Sequence, residues 1–270
     1  MLTGLACLFG LLSPAQADAL AWDWPAAGVL MSLEGTLRFE DPLELTLEKY
    51  PPMADAVTAV ARVHCAADDR APPRVLTCRV QDARMKAVTS PAYWSDVERV
   101  LQSLQASLEG SEVTLKLEPD GRIRRLKGPV YEGDRQTGAL HDALTSALFW
   151  SLDLSLPGDD APSWIQKENL LDLSLSMAHV RSDGSDFSDS SDSSDSSEPV
   201  ALHGEGAGAA VEGTYLFDDA RGLLLESELI ASVTSAETSL VSVNAYTVTP
   251  RTWESRMSFI KIGAALEKLP

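Results

Sequence analysis

The stretch that decides the fold is VARVHCAADDRAPPRVLTCRVQ, residues 60–81. Two segments of alternating apolar and polar residues flank a turn-forming centre that contains two aspartates and two prolines, a pattern typical of a β-hairpin. Pairing the segments about this centre places Cys65 opposite Cys78 and Val63 opposite Val80. The stretch therefore predicts two antiparallel strands that share one apolar face.

The opposed cysteines predict a structural cross-strand disulfide between Cys65 and Cys78, with two buried free thiols as the alternative. Closing a loop of about 14 residues stabilises a fold by roughly 3 kcal/mol when the effect is attributed to chain entropy. A redox or metal site is disfavoured because the spacing is not Cys-x-x-Cys and because His64 lies on the opposite face of the strand.

The first residues, MLTGLACLFGLLSPAQA, have the pattern of a secretory signal: an apolar run, a proline and a small-x-small cleavage site. We therefore expect a signal peptide at residues 1–17 and an exported domain at residues 18–270, located in the periplasm, at the cell surface or outside the cell. Lipidation of Cys7 is an open alternative. No stretch reaches the roughly 20 apolar residues of a membrane-spanning helix, so we expect no transmembrane segment in the mature chain.

The composition is that of a globular, acidic protein. The chain has 270 residues, 44% of them hydrophobic, and a formal net charge of −18. It can bury a substantial core as a single β-rich domain. The alternative is that the residues after about 160 form a second domain. The charge argues against a nucleic-acid partner, which would require clustered Lys and Arg on phosphates, and against anionic membrane surfaces.

Alternating apolar and polar residues recur along the chain and indicate half-buried strands. The alternation places apolar residues on one face of a predicted strand in LEGTLRFE (33–40), LELTLE (43–48) and VTLKLE (113–118). Hairpins are predicted in LEPDGRIRRL (117–126) and YLFDDARGLLLESEL (215–229), and further strands in LLDLSLSM (170–177), LVSVNAYTV (240–248) and RMSFIKI (256–262).

Two segments have the helical period instead. In residues 90–109, with Ser90 as N-cap and Pro91 in the first turn, the inward face consists of Trp94, Val97, Val100, Leu101, Leu104 and Leu108. In residues 137–152 it consists of Leu140, Ala143, Leu144, Ala147 and Leu148. The predicted fold class is α+β, mostly antiparallel β, with a curved sheet or half-barrel and two covering or enclosed helices.

Residues 182–198, SDGSDFSDSSDSSDSSE, place an acid at every third position. This spacing does not match a calcium loop of the EF-hand type, and the composition predicts a disordered Ser/Asp-rich loop that lengthens a hairpin. A weak cation-binding role is the alternative, and its candidate ligands are Asp183, Asp186, Asp189, Asp192, Asp195 and Glu198. His179 and His203 flank the loop and approach each other if it closes a hairpin.

No catalytic motif, cofactor motif or metal-ligand spacing occurs in the chain. The Gly-rich HGEGAGAA, residues 203–210, lacks the strand-to-helix context of a nucleotide site and predicts an irregular strand start. Trp22 and Trp24 lie close to the start of the mature chain, where side chains are usually exposed. We therefore assign no catalytic residue and no cofactor.

The order of elements from about Leu43 to about residue 156 resembles the amino-terminal lipid-binding module of vitellogenin-type large lipid transfer proteins. The matching pieces are the strand ending in Cys65, the return strand RVLTCRVQDARM, the strand-turn-strand VTLKLEPDGRIRRL and the helix ALHDALTSALFWSL. The chain also resembles the half-barrels of periplasmic lipoprotein carriers. Both resemblances imply an apolar ligand held by a curved sheet.

Three functional hypotheses follow. The first is a non-enzymatic exported domain that binds or carries a lipid or another hydrophobic small molecule. The second is a cell-surface interaction protein whose acidic loop binds calcium weakly. The third is a hydrolase whose residues are assembled from distant strands.

Overall fold

A computed structural model describes most of the chain beyond the amino-terminal segment. The described residues are 23–25, 27–70, 72–119, 121, 123–154, 163–168, 173–179, 199–206, 208–218, 221–233 and 250–262; the side chains of residues 163–175 and 179 are not described. Within these ranges, no helix has the length and apolar character needed to cross a membrane. The predicted signal peptide, Cys7, the strand at 240–248 and the whole Ser/Asp-rich loop lie outside the described residues.

The described elements are eleven strands, two α-helices and two short 3-10 helices. The strands are β1 Val29–Glu44, β2 Met53–Ala67, β3 Val75–Val88, β4 Glu112–Leu117, β5 Ile123–Lys127, β6 Ser163–Glu168, β7 Leu173–His179, β8 Val200–Gly206, β9 Ala209–Asp218, β10 Leu223–Val233 and β11 Thr252–Ile262. The helices are α1 Trp94–Leu108 and α2 Arg135–Phe149, with 3-10 turns at Pro91–Tyr93 and Trp150–Asp153.

All described strands belong to one sheet, in the order β5-β4-β3-β2-β1-β11-β10-β9-β8-β7-β6. Every pairing is antiparallel. The first five strands form one meander and the last six form another, and the pair β1–β11 joins the two in the middle. The predicted α+β class, mostly antiparallel with two helices, is confirmed.

From Val63 to Val80 the hairpin has the predicted register, and the register shifts beyond it, between Arg62 and Val63. Cys65 lies opposite Cys78 and the two form a disulfide, while Val63 lies opposite Val80. Asp68 fastens the loop because its Oδ1 accepts a hydrogen bond from the Arg74 backbone N–H at 2.8 Å. This hydrogen bond holds the pKa of Asp68 below its usual value, so its contribution to hairpin stability is present at neutral pH and is lost as the pH falls through that lowered pKa.

Removing the disulfide should destabilise the protein measurably. Replacing Cys65 and Cys78 together by alanine is expected to lower the free energy of unfolding by about 3 kcal/mol, because the unfolded chain regains the freedom of the closed loop. Urea unfolding of the double variant and of the reduced wild-type protein measures the change. Equal midpoints for oxidised and reduced wild-type protein would contradict the prediction.

The segment around residues 43–48 differs from its prediction. Leu43 belongs to the same long strand, β1, as Leu33 and Leu37, and no separate strand forms. The strand ends at Glu44 because the chain turns back there, with the Leu45 backbone N–H bonded to the Pro52 carbonyl at 2.9 Å. Leu47, predicted to face the core, is therefore 54% exposed.

Helix α1 covers the sheet beside β3, with Val97, Leu101, Leu104 and Leu108 buried. The prediction for Trp94 was wrong: its side chain is 53% exposed. Trp94 is the first residue of α1 and follows a 3-10 turn, and the buried face of the helix begins only at Val97. Ser90 is the N-cap residue of the 3-10 turn that leads into α1, with Pro91 in its first turn, but the Ser90 side chain makes no capping hydrogen bond.

Helix α2 lies against the centre of the sheet, in contact with β1, β2 and β11. Asp134 caps it, accepting hydrogen bonds at 3.0 Å from the backbone N–H groups of Gln136 and Thr137. The helix approaches the sheet closely at Gly35, where a Cβ would lie only 2.7 Å from the Leu148 backbone nitrogen. All the predicted inward residues are buried, and so are His141, Thr145 and Phe149, so α2 is more enclosed than an ordinary surface helix.

Contacts at one end of the sheet show how strongly it curves. Five strand spacings separate β4 from β10, which would be about 24 Å in a flat sheet. Yet the Trp24 Nε1–H donates to the Gly121 carbonyl beside β4 at 3.2 Å, and the Asp23 backbone N–H donates to the Gly222 carbonyl beside β10 at 2.8 Å. Two adjacent residues thus bridge the two turns, so the sheet curls around the helices.

Helices and a 3-10 turn cover the concave side of the sheet over β1, β2, β3, β5, β10 and β11. The 3-10 turn at Trp150–Asp153 contacts β5, β10 and β11 together. Its Trp150, with Phe149 and Trp253, is among the largest fully buried side chains. Trp24 is also packed in the core: it is 4% exposed, contrary to its expected exposure, and Trp22 lies outside the described residues.

Candidate functional site

The candidate site is built on the connection between β5 and α2, residues 128–134. Gly128 follows β5 and passes close to α2, where a Cβ would lie 3.2 Å from the Thr145 methyl carbon. At the other end of the connection, Asp134 is fixed as the N-cap of α2. The connection is therefore held against the helix at both ends.

Tyr131 fixes the middle of this connection. Its hydroxyl lies 2.9 Å from the Ser103 Oγ on α1, and its ring lies beside the His141 imidazole with centroids 5.7 Å apart. Gly133 allows the ring to fold back, because a Cβ there would lie 2.2 Å from the Tyr131 Cε1. Tyr131 thus links α1, α2 and the connection.

An open groove of about 380 Å³ lies between the connection and α2. We call it the α2 groove. Its lining residues are Leu126, Gly128, Pro129, Val130, Tyr131, Gly138, Asp142, Thr145 and Ser146. Leu126, Pro129, Val130 and Tyr131 give it an apolar wall, whereas the helix contributes small or polar side chains.

Two features of the groove suit a ligand with an apolar body and a polar group. Val130 is 84% exposed, the most exposed of the large hydrophobic side chains in the described part of the chain. Opposite the apolar wall, the Asp142 side chain is 53% exposed. A groove that combines one apolar wall with a few polar groups is the usual form of a small-molecule site.

A chain of polar side chains connects the groove to helix α1. The His141 Nδ1 lies 3.3 Å from the Asp142 Oδ1, and its Nε2 lies 3.4 Å from the Ser107 Oγ. The order Ser-His-Asp is that of a hydrolase triad. The His141 side chain is completely buried, however, which closes the path by which Nε2 would exchange a proton with a substrate. The contact between Ser107 on α1 and His141 on α2 instead joins the two helices.

His179 and His203 lie on neighbouring strands, because β7 pairs with β8. The strands that flank the Ser/Asp-rich loop therefore do form a hairpin. His179 pairs with Leu202 and His203 pairs with Ala178, so the two histidines are not directly opposed. His203 instead lies near two carboxylates, with its Nε2 3.3 Å from the Glu205 Oε1 and its Nδ1 3.9 Å from the Glu212 Oε1.

A second depression, of about 460 Å³, lies beside His203 over β8, β9 and β10. Its lining includes Glu212, Thr214, Glu228 and Ile230, which share the face of the sheet that points away from the helices. It lies against the sheet alone, whereas the α2 groove is bounded by a strand, a connection and a helix.

The candidate cation ligands Asp183, Asp186, Asp189, Asp192, Asp195 and Glu198 lie outside the described residues. Within the described part of the chain, no group of three His, Cys, Asp or Glu side chains is arranged to hold a metal ion. Residues 203–206 of HGEGAGAA belong to β8 and residues 209–210 to β9, and Gly208 just before β9 has a φ of 76°.

Sequence reasoning did not find the α2 groove. Its residues come from β5, the connection and three turns of α2, and each of these segments has an ordinary composition. One signal was available: GPVYEGD, residues 128–134, is a Gly- and Pro-containing connection with two large side chains, Val130 and Tyr131, that belong to neither the strand nor the helix pattern.

Comparison with known proteins gives no assignment for this site. No family model matches the chain, and no curated protein matches it.

Proposed function

We propose that the protein is a non-enzymatic exported domain that binds an amphipathic small molecule of the lipid class in the α2 groove. The observation that carries this proposal is the pairing of an apolar wall with a polar helix face across a groove of about 380 Å³. That volume is within the range of ordinary ligand sites, about 300–1,000 Å³. The resemblance to lipid-carrying curved sheets supports the same proposal at the level of the fold alone.

The groove is a better candidate than the interior of the sheet. Over β1, β2, β3, β5, β10 and β11 the concave side is occupied by α1, α2 and the 3-10 turn after α2, where Phe149, Trp150 and Trp253 are buried. A ligand in the α2 groove needs none of these side chains to move. We therefore place the ligand between the helix and the edge of the sheet.

The direct test is to identify the ligand that co-purifies with the protein. Protein purified without detergent is extracted with organic solvent and the extract is analysed by lipid mass spectrometry, with an unrelated acidic protein from the same host as control. We expect one class of amphiphile to be enriched, and a fluorescent fatty acid or fatty amine to bind the extracted protein. A clean extract together with no binding of either probe would refute the proposal and leave the calcium-binding and hydrolase hypotheses.

Replacing Val130 by aspartate should weaken binding. The substitution puts a charge into the apolar wall and removes apolar contact worth about 1.5 kcal/mol, so we expect affinity for the bound probe to fall by about tenfold or more. The 84% exposure of Val130 means that folding should be unaffected.

The matched control is Val88→Asp, which makes the same change at a 57% exposed position at the end of β3, away from the groove. Fluorescence titration of both variants, with thermal melts to check folding, measures the difference. Equal affinities for the two variants would place the ligand elsewhere.

A further inference from the structure

The charge in the α2 groove points to one class of head group. Asp142 is the charged side chain among the described residues that line the groove; the others are apolar or neutral. Its carboxylate belongs to the helix face opposite the apolar wall. A ligand whose alkyl body contacts Leu126 and Val130 therefore presents its polar end to a negative charge.

Within the described residues, no Arg or Lys forms an ion pair with Asp142, whose recorded ion-pair contact is with the imidazole of His141. Arg125 and Lys127 flank Leu126 in β5, and because successive strand residues point to opposite faces, both point away from the face on which Leu126 lines the groove. Arg124 is placed against Glu118, with 3.8 Å between its Nε and the Glu118 Oε1. Arg135 precedes Asp142 by two turns of α2, roughly 10 Å along the helix axis.

Asp142 also retains hydrogen-bonding capacity. Its Oδ1 lies 3.3 Å from the His141 Nδ1. A carboxylate offers about four acceptor positions, so at least two remain for a ligand on the exposed side of the group. Ser146 lies one turn further along the same helix face and adds a hydroxyl acceptor.

Tyr131 supplies a further attraction for a cation. Its ring lines the groove, and aromatic faces attract ammonium groups within about 6 Å of the ring centre. Its position is fixed by the contacts with Ser103 and His141. Carboxylate, hydroxyl and ring thus all belong to the lining of one groove.

We propose that the ligand of the α2 groove is an amphiphile with an ammonium head group, which Asp142 binds. This inference rests on the proposed function and adds the head-group chemistry to it. The ammonium group donates hydrogen bonds to the Asp142 carboxylate, and the alkyl chain lies along Leu126, Pro129 and Val130.

The test uses three ligands with one alkyl chain: decylamine, decanol and decanoate, titrated calorimetrically at concentrations below aggregation. We expect decylammonium to bind the wild-type protein about tenfold more tightly than decanol, since hydrogen bonds to charged groups are the stronger class, and decanoate to bind most weakly. The preference for decylammonium should fall as salt is added, because Asp142 is partly exposed.

Asp142→Asn keeps the size of the side chain and removes its charge. We expect its affinity for decylammonium to fall to that for decanol, with decanol binding unchanged. Glu98→Gln makes the same charge change on the exposed face of α1, outside the groove, and should bind all three ligands as the wild type does.

The outcomes separate the head-group inference from the function on which it rests. Equal binding of the three ligands by the wild-type protein, or a preference for decanoate, would overturn the head-group inference while the groove stays a lipid site. If none of the three ligands and no fluorescent fatty acid or amine binds, the proposed function fails as well. If Asp142→Asn does not fold, the salt dependence in the wild-type protein decides the question.

Discussion

Replacing Gly35 by alanine is expected to lower the free energy of unfolding by about 3 kcal/mol, the upper end of the usual range for overpacking. The added Cβ would lie 2.7 Å from the Leu148 backbone nitrogen and 2.9 Å from the Ala147 carbonyl carbon. These are main-chain atoms, so no change of rotamer relieves the clash. Either β1 or α2 must shift, and the helix lies at the centre of the sheet.

Gly138→Ala is the matched control for Gly35→Ala. Gly138 lies inside α2, and an added Cβ there would be 3.8 Å from the Tyr131 ring, an ordinary contact. Alanine in a helix interior is more favourable than glycine by about 0.5–1 kcal/mol, so this variant should be more stable than the wild type. Chemical denaturation of both variants measures two changes of opposite sign. If Gly35→Ala left the free energy of unfolding unchanged, α2 would not be packed against β1 at this residue.

Replacing Trp24 by alanine is the second change with a large expected effect, a loss of about 3–5 kcal/mol. The side chain is 4% exposed, and its Nε1–H donates to the Gly121 carbonyl. The variant therefore loses both a large apolar contact and the hydrogen bond that joins Trp24 to the turn after β4. Trp24→Phe should be intermediate, because it keeps most of the apolar area and loses only the donor.

Trp94→Ala is the control for Trp24→Ala. It makes the same change at a side chain that is 53% exposed, and should alter the free energy of unfolding by no more than about 0.5 kcal/mol. Urea unfolding followed by circular dichroism suits all three variants, since a fluorescence signal would change with the tryptophans themselves. A larger loss for Trp94→Ala than for Trp24→Ala would contradict the packing described above.

These two tryptophans show what could and could not be predicted from the sequence. The hairpin register, including the Cys65–Cys78 disulfide, was predictable because a short loop and the alternation of side chains fix it locally. The exposure of Trp24 and Trp94 was not, because it depends on where each residue lies relative to a curled sheet. Curvature is a property of many strands together.

The same reasoning applies to the candidate site. The inward face of α2 was predictable from its helical period, whereas the α2 groove depends on how a connection of seven residues packs against the other side of that helix. Tyr131 makes this contact through Ser103 and His141, which come from two different helices. The spacing of apolar residues within one segment cannot predict a contact between separate segments.

The central position of the β1–β11 pair has a consequence for how the protein reaches its native state. Arg38 on β1 and Glu254 on β11 form an ion pair although 216 residues separate them in the chain. During synthesis, the first meander and its helices can associate early, but β1 keeps one open edge until the last described strand is made. An unpaired edge strand is a site for wrong partners. We therefore expect the pairing of β11 with β1, which completes the sheet from within, to be a slow and vulnerable step of folding, at which a chaperone that shields β1 would act.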